Sequence, residues 1–146
     1  MAQFCGVGPV YPEVEMDIGQ GGCDIWYHGS NQWFSQLREG STITPWRALA
    51  EAFSHKPAVL SILDDGTIIH NGTASGYLYL LDEVIEPGRD VIPHPRSTME
   101  SGLEFLTTRP VHVRFIAHVD PPSEDFLEES RRRIQAFMEA MEAHPS

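Results

Sequence analysis

Apolar and polar positions along the chain change period several times, and each change predicts an element. Ile25-Trp26-Tyr27 is an apolar run that ends abruptly in His28, Gly29 and Ser30. Its β-branched and aromatic residues suit a short packed strand that delivers His28 to its open end. Ser30 to Gly40 then reads as a short helix, with Ser30 or Asn31 as cap, Trp33, Phe34 and Leu37 as the apolar face and Gly40 as the stop. Residues 41–44 can form a short strand. Thr44-Pro45 opens a second helix in which Trp46, Leu49, Ala50 and Phe53 fall at i, i+3, i+4 and i+7, one buried stripe that Pro57 ends.

The period then shortens. Residues 58–63 and 67–70 are two β-type runs around Asp64-Asp65-Gly66, a hairpin signal. A loop of small residues, 71–76, leads into Tyr77-Leu78-Tyr79-Leu80-Leu81, a continuous apolar strand expected to be buried on both faces. Residues 86–101 are irregular and Pro-rich, long enough for a working loop. Strands follow at 103–107 and 111–117, the second placing Val111, Val113, Phe115 and Ala117 on one face. A final helix follows Ser123, with Glu124 and Asp125 in its first turn, Leu127, Ile134, Phe137, Met138 and Met141 on its buried side, and Glu128–Arg132 and Glu129–Arg133 as i,i+4 pairs. Strands that do not alternate regularly with helices predict a mixed α+β domain over residues 24–146. Residues 1–23, rich in Gly and Pro, read as an extended or flexible entry segment.

Composition narrows the function classes. The chain has 146 residues, 41% hydrophobic and 21% charged, which predicts one soluble globular domain. A formal net charge of −11 disfavours nucleic-acid backbone and anionic membrane as partners, because phosphates need clustered Lys and Arg. The basic cluster Arg131-Arg132-Arg133 is matched by Glu128-Glu129 on the same helix. No run approaches the roughly 20 apolar residues of a membrane span. With no signal-peptide pattern at Met1, a cytoplasmic location is expected. Cys5 and Cys23 are the only cysteines, and whether they pair stays open.

Seven histidines invite a metal, but HExxH, CxxC and compact His/Cys clusters are missing, so no metal is expected. Gly-x-Ser-x-Gly and Gly-rich phosphate loops are missing as well. By itself, His28 is a polar residue that ends a strand.

Tyr27-His28-Gly29-Ser30 resembles the Tyr-His-Gly-Thr/Ser signature with which many ADP-ribosyltransferases bind NAD on their first strand. The order of later segments is similar too: the unit from Thr42 to His55, the strand Gly76-Tyr77-Leu78-Tyr79, then Pro110-Val111 and a charged last helix resemble the small bacterial rifamycin ADP-ribosyltransferases. The resemblance implies a split, mainly antiparallel sheet flanked by helices. It also implies an NAD-dependent glycosyl transfer, ADP-ribose passing to an acceptor as nicotinamide leaves.

Residue by residue, the resemblance implies that His28 hydrogen-bonds the adenosine ribose of NAD and that the Gly29 backbone faces the nicotinamide amide, with Ser30 closing the motif. The family's usual stacking tyrosine is replaced by Thr42, which leaves the platform to Trp33, Trp46 or Phe53, or leaves NAD binding altered. Glu104 matches the superfamily's catalytic carboxylate, and Asp90 is the counterpart of the aspartate used by the rifamycin enzymes. Glu104 is preferred, because a strand end holds a carboxylate more rigidly than a loop does. The acceptor, a small molecule or a protein, is not specified. The alternative is a catalytically inactive protein-binding module on the same fold.

Overall fold

The computed structural model describes residues 25–99 and 102–143. The entry segment with Cys5 and Cys23, and His144, lie outside them. In chain order the elements are β1 (Tyr27–Ser30), β2 (Gln36–Leu37), β3 (Thr42–Ile43), α1 (Arg47–Ser54), β4 (Leu60–Ile62), β5 (Ile68–His70), β6 (Gly76–Leu81), β7 (Val91–Pro93), β8 (Phe105–Thr107), β9 (Val111–Val119) and α2 (Glu124–Ala143). All named pairings are antiparallel, in sheets of order β1-β6-β9-β2, β3-β8-β7 and β4-β5. The domain is α+β with split antiparallel sheets and two helices.

The continuous apolar run 77–81 is apolar because β6 is an interior strand, flanked by β1 and β9. One side of this sheet carries Trp26, Tyr79, Leu81, Val111 and Val113 in the main core. The other packs Tyr27 and Leu78 against Ala50 of α1. That second contact is unusually close. A Cβ on Gly29 would lie 1.7 Å from the Ala50 carbonyl oxygen, and one on Gly76 would lie 2.0 Å from Ser54 Oγ. Glycine at both positions lets the helix rest almost on the strand backbones.

The first two sheets are tied where Tyr27 and Thr44 exchange backbone hydrogen bonds of 2.8 and 3.0 Å. This bridge keeps Thr44 extended, so α1 begins two residues later than Thr44-Pro45 suggests, although Thr44 Oγ1 still accepts from the Trp46 amide at 3.1 Å.

Three expectations are corrected. No helix forms over Ser30–Gly40; the segment is irregular and then pairs as β2 with β9. Its polar groups are taken by the sheet instead. Tyr79 Oη donates to the Gln32 carbonyl and accepts from the Phe34 amide, and the Val113 amide donates to the Ser35 carbonyl. These tertiary bonds outweigh a helix that eleven residues form only marginally.

On β9, Val111 and Val113 are buried as expected, but the pairing with β6 shifts register: Tyr79 faces Phe115 and Leu78 faces Ala117. Ile116 is the extra residue, and the bulge turns Ala117 to the α1 side, away from Val111 and Val113. In α2, Leu127 and Ile134 are partly buried, whereas Phe137, Met138 and Met141 are more than half exposed. The arginine run is answered on its own helix, by Glu128–Arg131, Glu129–Arg132 and Glu129–Arg133 pairs.

At the end of α1, Lys56 has φ +56°, the one non-glycine among the described residues with positive φ. The left-handed region costs an L-residue about 1–2 kcal/mol, and glycine recovers less than that in added unfolded-state entropy. Lys56→Gly is therefore expected to raise stability by about 0.5–1 kcal/mol, read as a higher urea midpoint.

Candidate functional site

Six segments enclose a cleft of about 400 Å³, within the ~300–1,000 Å³ range of small-ligand sites. His28 and Gly29 come from β1, Thr42 from β3, Phe53 from α1, Lys56 to Ala58 from the turn after it, Leu60 from β4 and Glu104 from the residue before β8. The structure thus brings together five of the residues singled out from the sequence: His28, Gly29, Thr42, Phe53 and Glu104.

His28 is fixed by two neighbours. Its Nδ1 lies 2.7 Å from the Thr42 carbonyl. A carbonyl only accepts, so Nδ1 carries the proton and Nε2 keeps its lone pair. The ring lies against Phe34 and Tyr79, with centroids 5.7 and 6.3 Å away. Burial lowers the imidazole pKa; the Thr42 bond opposes this and the Lys56 charge adds to it. The net effect is a neutral ring near pH 7 with one open acceptor.

Gly29 enters the cleft through its backbone. The side on which a Cβ would stand belongs to α1, so the missing side chain answers helix packing rather than the approach of a ligand. Thr42 lines the cleft without a ring, and the aromatic that does line it is Phe53. Of the other rings considered for stacking, Trp33 is exposed and packs near Tyr77 and Phe115. Trp46, the other ring named for the cofactor, stands apart from this cleft: it is buried with Leu49 and Leu103 and lines a different cavity. Ser30 also lies outside the cleft lining, its Oγ accepting from the Gln32 amide at 3.1 Å.

Glu104 is held at the start of β8 through the backbone bond from His94 N to its carbonyl, 2.9 Å. His94 also approaches its side chain. His94 Nδ1 accepts from the Arg96 amide at 3.1 Å, which puts the ring proton on Nε2, 4.0 Å from Glu104 Oε2. The Glu104 side chain is only 15% exposed, so its charge acts through less water than a surface carboxylate would.

Asp90 has a different task. It is 3% exposed, does not line the cleft, and has its carboxylate filled by the Glu86 amide (2.8 Å), Arg109 Nε (3.1 Å) and Arg89. Arg109 bridges onward to Glu83 at 2.8 Å. Asp90 knits the turn before β7 to the turn before β9, and its carboxylate is engaged away from the cleft.

The Glu86 amide, then Arg89 and Arg109, lower its pKa from 3.8 to about 2. A depressed carboxylate pKa stabilises the fold above the unfolded value, and that contribution is lost as pH falls from 3.8 through about 2. Asp90→Asn is expected to lower the urea midpoint at neutral pH, with the gap to wild type closing below pH ~4.

Phe53 is one of the three rings the sequence offers for stacking, although the α1 stripe alone does not say which of its positions meets solvent. One cleft residue escapes sequence reasoning. Lys56 gives no signal at all, because its position depends on a backbone turn that Lys-Pro does not advertise.

A second cavity, about 450 Å³, lies between α1, β5 and the start of α2, with His55 and His70 stacked at 5.6 Å between centroids. Among the described residues no group of three or more His, Cys, Asp or Glu is arranged to hold a metal, and no helix is long and apolar enough to cross a membrane. Compared with protein-family models, curated proteins and solved structures, the chain matches none.

Proposed function

We propose that the His28 cleft binds NAD and that the protein is an NAD-dependent mono-ADP-ribosyltransferase. The observation that carries this reading is the meeting of His28, Thr42 and Glu104, distant in sequence, on one cleft. The groups present suit a dinucleotide: an open imidazole acceptor for a ribose hydroxyl, a phenyl face at Phe53, a cation at Lys56 and a shielded carboxylate at Glu104.

Bound NAD would supply the ADP-ribosyl group: its bond to the nicotinamide nitrogen breaks, a bond to the acceptor's nucleophilic atom forms, nicotinamide leaves neutral and the acceptor releases a proton. The protein's part is positional and electrostatic. His28 Nε2 accepts from the adenosine ribose, while the Thr42 carbonyl keeps the ring in the tautomer that leaves this acceptor open. Phe53 offers the face that Thr42 lacks. Glu104 orients the nicotinamide ribose and stabilises positive charge as it develops there.

A second reading, a catalytically silent module on the same fold, is supported by the missing tyrosine at Thr42. Nicotinamide release from NAD separates the two. The first reading expects release above the spontaneous rate, lost in Glu104→Gln; binding of NAD without any release favours the second.

A further inference from the structure

We propose that Lys56 is the anion-binding residue of the His28 cleft and takes the diphosphate of a dinucleotide; the NAD reading is needed only for the identity of that ligand. Three observations point the same way. First, the cleft is nearly devoid of positive charge: Lys56 is the one cationic side chain among its lining residues, in a chain of net charge −11. A diphosphate entering such a cleft meets repulsion from the molecule as a whole and needs a local cation.

Second, the backbone at Lys56 is strained. Its φ of +56° is a conformation that glycine or asparagine usually takes after a helix. It also precedes Pro57, where an extended residue is the norm. The Lys56 amide donates to the Phe53 carbonyl at 3.0 Å, closing the helix end as any residue would. Glycine would make the same bond without strain, so the lysine adds only its side chain. Strain of this kind is retained where the surroundings or a ligand make use of it.

Third, the ammonium is available. Among the described residues Lys56 makes no ion pair, and it stands close enough to His28 for its charge to disfavour the imidazolium. The two side chains therefore divide the work in one cleft: a neutral imidazole meets ribose, and the lysine meets phosphate.

Calorimetric titrations with ADP-ribose and with adenosine, on wild type, Lys56→Met and Lys56→Arg, test this. Lys56→Met is expected to bind ADP-ribose about tenfold or more weakly, with adenosine affinity unchanged, and Lys56→Arg to recover most of the loss. Rising salt should weaken ADP-ribose binding to wild type more than to Lys56→Met. Equal ADP-ribose affinity in wild type and Lys56→Met, or equal losses for both ligands, overturns the assignment while leaving NAD binding intact. If wild type binds neither ADP-ribose nor NAD, amide chemical shifts with inorganic pyrophosphate decide. Perturbation of the cleft in wild type but not in Lys56→Met keeps the anion site and abandons NAD, and no perturbation ends both.

Discussion

Replacing Gly29 by alanine is expected to destabilise the fold by about 3 kcal/mol or more, at or above the upper end for overpacking. A methyl group there would lie 1.7 Å from the Ala50 carbonyl oxygen and 2.8 Å from its carbon. These are backbone atoms, which cannot rotate aside, so relief requires moving α1 off β1 and β6. That movement would open the interface of Tyr27, Leu78 and Ala50 and shift Phe53 and Lys56 at the cleft.

Gly40→Ala is the control. Gly40 has φ +85° but open space around its Cβ position, so alanine there costs only the backbone term, about 1–2 kcal/mol. Urea denaturation of both variants separates close approach from backbone conformation. A Gly29→Ala loss no greater than the Gly40→Ala loss would mean that α1 does not rest on β1 in this way.

Glu104→Gln is expected to reduce nicotinamide release by about 10²–10³-fold, the usual effect of losing one group aimed at developing charge. The substitution keeps shape and removes charge, so NAD affinity should stay within about threefold of wild type. His28→Ala should behave in the opposite way, weakening NAD binding by about tenfold through the lost acceptor. Asp90→Asn should produce neither pattern, since its carboxylate serves the Arg89 and Arg109 pairs; any fall in activity should track the fraction unfolded. A selective loss of turnover in Asp90→Asn, with Glu104→Gln near wild type, would exchange the two roles.

How much of this was legible in the sequence depended on whether the controlling contact was local. The Asp64-Asp65-Gly66 turn, the α1 stripe and the start of α2 are set by neighbours within a few residues, and they appear where the pattern puts them. The expected helix over Ser30–Gly40 had a cap, an apolar face and a stop, all local. The partners that decided its fate, Tyr79 and Val113, lie far along the chain. Phe137, Met138 and Met141 continue a helical stripe yet stay more than half exposed, and periodicity alone does not show how far a partner surface covers such a stripe.

The site divides on the same line. The resemblance that begins at Tyr27–Ser30 points to His28, Thr42 and Glu104, which do line one cleft. Gly29 was singled out for ligand approach, and its lack of a side chain is answered by helix packing. Trp46 was a plausible ring that core packing turned toward another cavity. Lys56 was invisible, because its importance arises from a left-handed turn that no neighbouring residue type specifies.

On the proposed function, the His28 cleft holds NAD. Calorimetric titration of wild type and His28→Ala with NAD tests it most directly, once circular dichroism has shown that the variant is folded. Saturable binding at one site in wild type, weakened about tenfold or more in His28→Ala, is the expected result. No heat of binding at millimolar NAD, or equal affinity in the two proteins, would contradict it.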